Sequence, residues 1–121
     1  MSLPIPKSNA QAALTLRNVT KRFNGSAGRV TALEDITLDV REGEFLVVVG
    51  PSGCGKSTLL SLLAGLEHTD EGAIKLGDEP VHSPGRDRLV MFQQDALFPW
   101  LNALENVLFG LRLKPGLSDA E

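Results

Sequence analysis

The sequence has one cysteine, Cys54, no tyrosine, only six aromatic residues in 121, and no acidic residue among its first 30. A single cysteine excludes an intrachain disulfide and the stapled secreted domains that depend on one, so a reducing compartment fits best. The scarcity of aromatics, with no basic stripe in which they interleave, disfavours nucleic acid as a partner. No apolar run approaches the ~20 residues of a membrane-spanning helix, and MSLPIPKSNAQAA lacks the apolar centre of a signal peptide, so the chain is expected neither to cross nor to enter a membrane by itself. The acid-free beginning holds Lys7, Arg17, Lys21, Arg22 and Arg29, against 7 bases and 15 acids in the remainder. That end reads either as a solvated basic face or as a surface turned toward a polyanion.

What is present is ordinary globular material, 42% hydrophobic and 22% charged, at a length suited to one modest core. Residues 1–12, with two prolines, read as a disordered lead-in, and the fold is expected to begin near Ala13. Leu14 and Leu16 alternate with Thr15 and Arg17, and Ile36, Leu38 and Val40 with Thr37, Asp39 and Arg41. These are two half-buried strands of an antiparallel sheet, joined by a flexible connection over residues 24–28. Glu42-Gly43 is a turn. Phe45 to Val49 is apolar throughout, which predicts a central strand covered on both faces.

Leu59 to Ala64 predicts a buried helix closed by Gly65. Residues 73–81 predict a short hairpin turning at Gly77-Asp78, and Leu89 to Phe92 a further apolar strand. Asn102 and Glu105 have the spacing of a capping box, opening a helix with Leu104, Val107, Leu108 and Leu111 on one face and Lys114-Pro115-Gly116 at its end.

The chemistry is concentrated in Gly50-Pro51-Ser52-Gly53-Cys54-Gly55-Lys56-Ser57-Thr58. In the pattern G-x-x-x-x-G-K-[ST], glycines let backbone N–H groups wrap closely around phosphate oxygens, and the following helix directs its positive end at the same anion. Lys56 supplies a cation for β- and γ-phosphates, and the Ser57 hydroxyl a ligand for Mg²⁺. A buried strand before the motif and a helix after it are the context that the pattern requires. Cys54 inside the loop admits two readings, a thiol activated by the helix end and Lys56, or merely a small side chain.

The flanks narrow the class. No Asp-x-x-Gly or Asn-Lys-x-Asp element of a GTPase follows the loop. LRNVTKRF (16–23), ALEDITLDVREGEFLVVVGPSGCGKSTLLSLLAGLE (32–67), GAIKLG (72–77) and RLVMFQQDALFPWLNALENVLFGL (88–111) together resemble the ATP-binding subunit of ABC transporters, from about Leu14 to Leu113.

The resemblance implies an α/β P-loop NTPase fold, with an antiparallel β subdomain joined to an incomplete parallel-sheet core over residues 13–121. It implies ATP and Mg²⁺ as cofactors, Phe23 as an aromatic stacked on adenine, and Gln93 as a glutamine that meets Mg²⁺ and the attacking water. Residues Asp95 to Leu101, with Phe98, Pro99 and Trp100, would meet a transmembrane permease subunit; a satellite core under that loop is the other reading. ALFPW and the approach Pro84 to Arg88 look most like importer ATPases of the nitrate, sulfonate and taurine class. Such a subunit sits peripherally on the cytoplasmic face of the inner membrane, pairs with a second ATPase subunit and serves a periplasmic solute-binding protein indirectly.

The signature Leu-Ser-Gly-Gly-Gln, the acidic strand ending Asp-Glu and the switch histidine of that family do not occur among these residues. His68 and His82 read as surface residues. Three readings follow: the N-terminal part of a transport ATPase, a truncated non-catalytic fragment that binds nucleotide or a transporter subunit, or a P-loop phosphotransferase whose acceptor site is not identifiable. These 121 residues alone are expected to bind nucleotide weakly, to aggregate, and not to turn over ATP.

Overall fold

A computed structural model describes residues 12–53, 55–94 and 96–116. The chain divides into two compact units, Met1–Leu89 and Val90–Glu121. In the first, strands β1 (Ala12–Gly25), β2 (Gly28–Arg41), β3 (Glu71–Leu76) and β4 (Glu79–Pro80) form an antiparallel sheet in the order β2-β1-β3-β4. The expected half-buried strand pair is therefore one long hairpin. Its connection is tighter than a flexible linker: Gly25 pairs with Gly28 across a two-residue turn. The hairpin predicted at Gly77-Asp78 joins β3 to β4.

Simple alternation does not carry through these strands. The core residues Leu16 and Val19 on β1, and Leu33 and Ile36 on β2, stand three apart, and an odd spacing would put each pair on opposite faces. Extra residues reset the phase, Asn18 and Asp35, both in the left-handed region with φ of 49°. The Asn18 side-chain amide donates to Asp35 Oδ1 at 2.7 Å, tying the two irregularities together. Three of the five bases at the start of the chain are paired within the fold: Arg17 with Asp39, Lys21 with Glu67 and Arg22 with Glu71.

Helix α1 (Lys56–Ala64) packs on this sheet through Leu59 and Leu62, which join Leu16, Val19, Leu33, Ile36, Leu38 and Ile74 in one core. Gly65 caps it in the left-handed conformation, as its position predicts. The burial expected along the rest of the helix is partial, with Leu60 59% exposed.

The apolar strand expected at Phe45 to Val49 is not formed among the described residues, and neither is the one at Leu89 to Phe92. A strand exists only through its ladder partners, and neither segment has one. Val48 packs against the core, whereas Phe45, Val47 and Val49 are exposed. Leu46 is 43% exposed as well, so Val48 alone anchors the segment.

In the second unit, helix α2 (Ala103–Arg112) begins with the predicted capping box: Glu105 N–H donates to Asn102 Oδ1 at 2.9 Å, and Asn102 N–H to Glu105 Oε2 at 2.9 Å. Its apolar stripe is not a buried one. Leu104, Val107 and Leu111 are exposed and only Leu108 is half-buried.

Candidate phosphate-binding site

Gly50 to Thr58 leads into the N-terminus of α1. The N-cap, Gly55, has φ of 100° and ψ of 3°, offers no side chain, and is followed by a first turn with no acidic residue. The first-turn N–H groups therefore have neither a side-chain cap nor a local carboxylate opposing them, the electrostatic condition for an anion to bind there.

Gly55 is required for a second reason as well. A Cβ at that position would lie 2.6 Å from the Ala32 carbonyl oxygen and 2.9 Å from Leu33 Cδ2. The loop is thus seated directly on β2.

Lys56 reaches back over the loop. Its Nζ donates to the carbonyl of Gly50 and to that of Pro51, the latter at 2.9 Å. An ammonium at the mouth of a helix N-terminus makes bonds to charged phosphate oxygens that are roughly twice as strong as bonds between neutral groups. Ser57 is exposed in the first turn, Thr58 is half-buried, and Pro51, Ser52 and Gly53 form the exposed part of the loop. Cys54, predicted as part of the loop, lies outside the described residues.

Beside the helix start, a cavity of about 600 Å³ lies between sheet residues such as Leu38 and Val40, the segment at Phe45 and Val48, and Leu59 and Leu63 of α1. Lys56 and Ser57 reach its lining. With so few donors it does not suit a triphosphate; it is apolar surface lacking a covering layer.

Phe23 stands near the end of β1, opposite Val30 of β2 and outside the core, 38% exposed. It is not among the side chains of the core cluster. Lys21 Nζ lies 5.1 Å from the ring centroid, a contact that the sequence reading missed. Gln93 is exposed and belongs to the second unit. His68 and His82 are exposed, as expected.

Within the second unit, Phe98 contacts Trp100 at 5.2 Å and Phe109 of α2 at 4.6 Å between ring centroids. Leu97 and Trp100 nevertheless stay 71% and 75% exposed. The satellite-core reading accounts for Phe98 and not for those two. Asp95 lies outside the described residues. Sequence reasoning also passed over Asn106, whose Oδ1 accepts from Phe98 N–H at 2.9 Å while its Nδ2 reaches the carbonyls of Phe98, Leu101 and Asn102. The signal was its place four residues after the cap Asn102, where a helix side chain faces back over the preceding turn.

The family model described as ABC transporter matches residues 33–121. The chain belongs to the ABC transporter family. It is 52% identical over 110 residues to the taurine import ATP-binding protein TauB of Chromobacterium violaceum, covering 91% of this chain and 41% of that one. It is 49% identical over 96 residues to the bicarbonate transport ATP-binding protein CmpD of Synechocystis sp., covering 79% of this chain and 34% of that one.

A solved dimeric ATP-binding cassette in a post-hydrolysis state, bound to ADP and Pi, superposes with a TM-score of 0.75 at 33% identity, covering 88% of this chain and 50% of that chain. This ABC chain accordingly spans about two-fifths of the length of the curated relatives it matches. Its α/β fold is of the ABC P-loop type, and that fold implies nucleotide binding. No helix among the described residues is long and apolar enough to cross a membrane.

Proposed function

We propose that the chain carries the ATP-binding loop of an ABC importer's ATPase subunit, which in its longer form powers solute uptake by binding and hydrolysing ATP. The observation that carries this reading is the uncapped N-terminus of α1 with Lys56 folded across the Gly50 and Pro51 carbonyls. The triphosphate would lie on the backbone N–H groups of Gly50 to Thr58, with Lys56 moving from those carbonyls to the β- and γ-phosphates. Phe23 would stack on the base, a contact needing only a π-face.

Mg²⁺ fits what is present. It is a hard cation that takes few protein oxygens and keeps its waters and the substrate phosphates, so the exposed Ser57 hydroxyl is an appropriate protein donor. When bound it supplies neutralisation of phosphate charge. By the family resemblance, Gln93 would offer its amide to Mg²⁺ and to the attacking water.

The names of the relatives, taurine and bicarbonate import, support an importer of the nitrate, sulfonate or taurine class. In such a system the subunit would lie peripherally on the cytoplasmic face of the inner membrane. It would pair with a second ATPase subunit, meet its permease through the exposed Leu97 and Trp100, and serve a periplasmic solute-binding protein only through that permease.

Titration with a fluorescent ATP analogue tests the core of this reading. Lys56→Ala, removing a charged hydrogen bond worth about 1.5–3 kcal/mol, is expected to weaken binding by roughly ten- to a hundredfold. Unchanged affinity would overturn it.

A further inference from the structure

Lys21 is a buried lysine that the proposed chemistry does not use. Its side chain is only 11% exposed, and its Nζ has three neighbours: the His68 carbonyl at 2.8 Å, Glu67 Oε2 at 3.2 Å and the Phe23 ring centroid at 5.1 Å. Burying an ammonium is costly unless it is paired, and each of these contacts offsets that cost.

The contacts join two places that matter. Glu67 and His68 follow α1 directly: the Gly65, Leu66 and Glu67 N–H groups fold back on the Leu62 and Ser61 carbonyls at its C-terminal end. The N-terminal end of the same helix carries the phosphate loop. Phe23, for its part, stands outside the core cluster. The backbone pairing of β1 with β3 extends only to Thr20; beyond it Arg22 is tied to Asp70 and Glu71, while the cross-strand neighbour of Phe23, Val30, is itself 58% exposed.

The geometry points to Lys21 as the positioning residue of the base contact: its ammonium, anchored to the end of α1, holds the Phe23 ring in register with the phosphate loop and polarises it for stacking. The ring quadrupole attracts the cation to one face, and the cation in turn draws π density toward itself. The opposite face then repels the electron-rich face of a purine less. Lys21 touches neither base nor phosphate; it acts through Phe23. The inference rests on the reading of Phe23 as the base-stacking residue, and its test separates the two.

The measurement is the ratio of affinities for ATP and for inorganic tripolyphosphate, which shares the phosphate loop and lacks the base. Phe23→Ala should lower the ratio; a ratio equal to that of the unsubstituted chain would show that Phe23 does not stack and would remove the foundation.

Lys21→Gln keeps a donor for the His68 carbonyl without the charge, and Lys21→Met removes both. Each is expected to lower the ratio by about three- to tenfold, the range of a desolvated cation–π contact, with tripolyphosphate affinity retained. Lys21→Arg, which preserves the cation, should restore it. If Lys21→Met fails to fold, Lys21→Gln decides. With Phe23→Ala effective, an unchanged ratio in Lys21→Gln, or equal losses for both ligands, would overturn the inference while leaving the role of Phe23 standing.

Discussion

Gly55 illustrates how far a single residue can be understood from sequence. Its place in the motif accounts for the backbone freedom that phosphate wrapping needs, and the φ of 100° agrees. The second constraint was not legible, because it depends on where β2 passes: the Ala32 carbonyl occupies the space of a Cβ. Gly53 supplies the control, with φ of 79° and nothing within 4 Å of a would-be Cβ.

Gly53→Ala is therefore expected to cost about 1–2 kcal/mol of backbone strain alone. Gly55→Ala adds a clash with backbone that cannot swing aside, raising the loss to roughly 3 kcal/mol or more by analogy with overpacked cores. Urea unfolding monitored by circular dichroism compares them; equal losses would mean that the β2 contact is not constraining the loop. Phe23 was similarly half legible. Its role could be read only through the family resemblance, and Lys21 beside the ring could not be read from strand periodicity.

Among the elements, those defined by their own local sequence were the ones foreseen. The capping box of α2, the Gly65 cap of α1 and the turn at Gly77-Asp78 depend on hydrogen bonds within a few residues. The phase-resetting bulges at Asn18 and Asp35 were missed because each is stabilised by the opposite strand. Phe45 to Val49 was misread for the converse reason, since apolar content speaks of burial while strand formation needs a partner.

Asn106 belongs at this scale, because it fastens the Phe98–Leu101 segment to α2 with bonds from both side-chain termini. Asn106→Ala would leave the Phe98 N–H and the Leu101 carbonyl to find water, a loss of about 1–3 kcal/mol concentrated in that segment. Trp100, the only tryptophan, reports it directly. Its fluorescence should shift and amide exchange at Phe98 should quicken, while the first turn of α2, held by Asn102, keeps its protection. Unaltered exchange at Phe98 would show that the aromatic contacts alone hold the loop.

For the whole molecule, the deciding quantity is apolar surface left open. Phe45 is 91% exposed, Val49 80%, Leu89 99% and Met91 93%, and the cavity beside α1 is walled by further aliphatic side chains. Scattered apolar residues are normal on a protein surface; unpaired segments of them are association sites. The purified 121-residue chain is expected to self-associate with rising concentration. Val47→Lys with Val49→Lys, placing charges on the exposed side of that segment, should shift the distribution in sedimentation velocity toward monomer.

Catalysis follows separate logic. Nucleotide binding needs the loop and α1, whereas hydrolysis in this family needs a signature motif offered by a second subunit and an acidic strand end to polarise water. In the roles proposed for them, Lys56 and Ser57 would stabilise phosphate charge and would not generate a nucleophile. The chain is thus expected to bind ATP stoichiometrically at best and to release phosphate no faster than buffer. Sustained phosphate release that disappears with Lys56→Ala would mean that these residues already contain the hydrolytic groups, and the assignment of that step to the rest of a longer protein would be wrong.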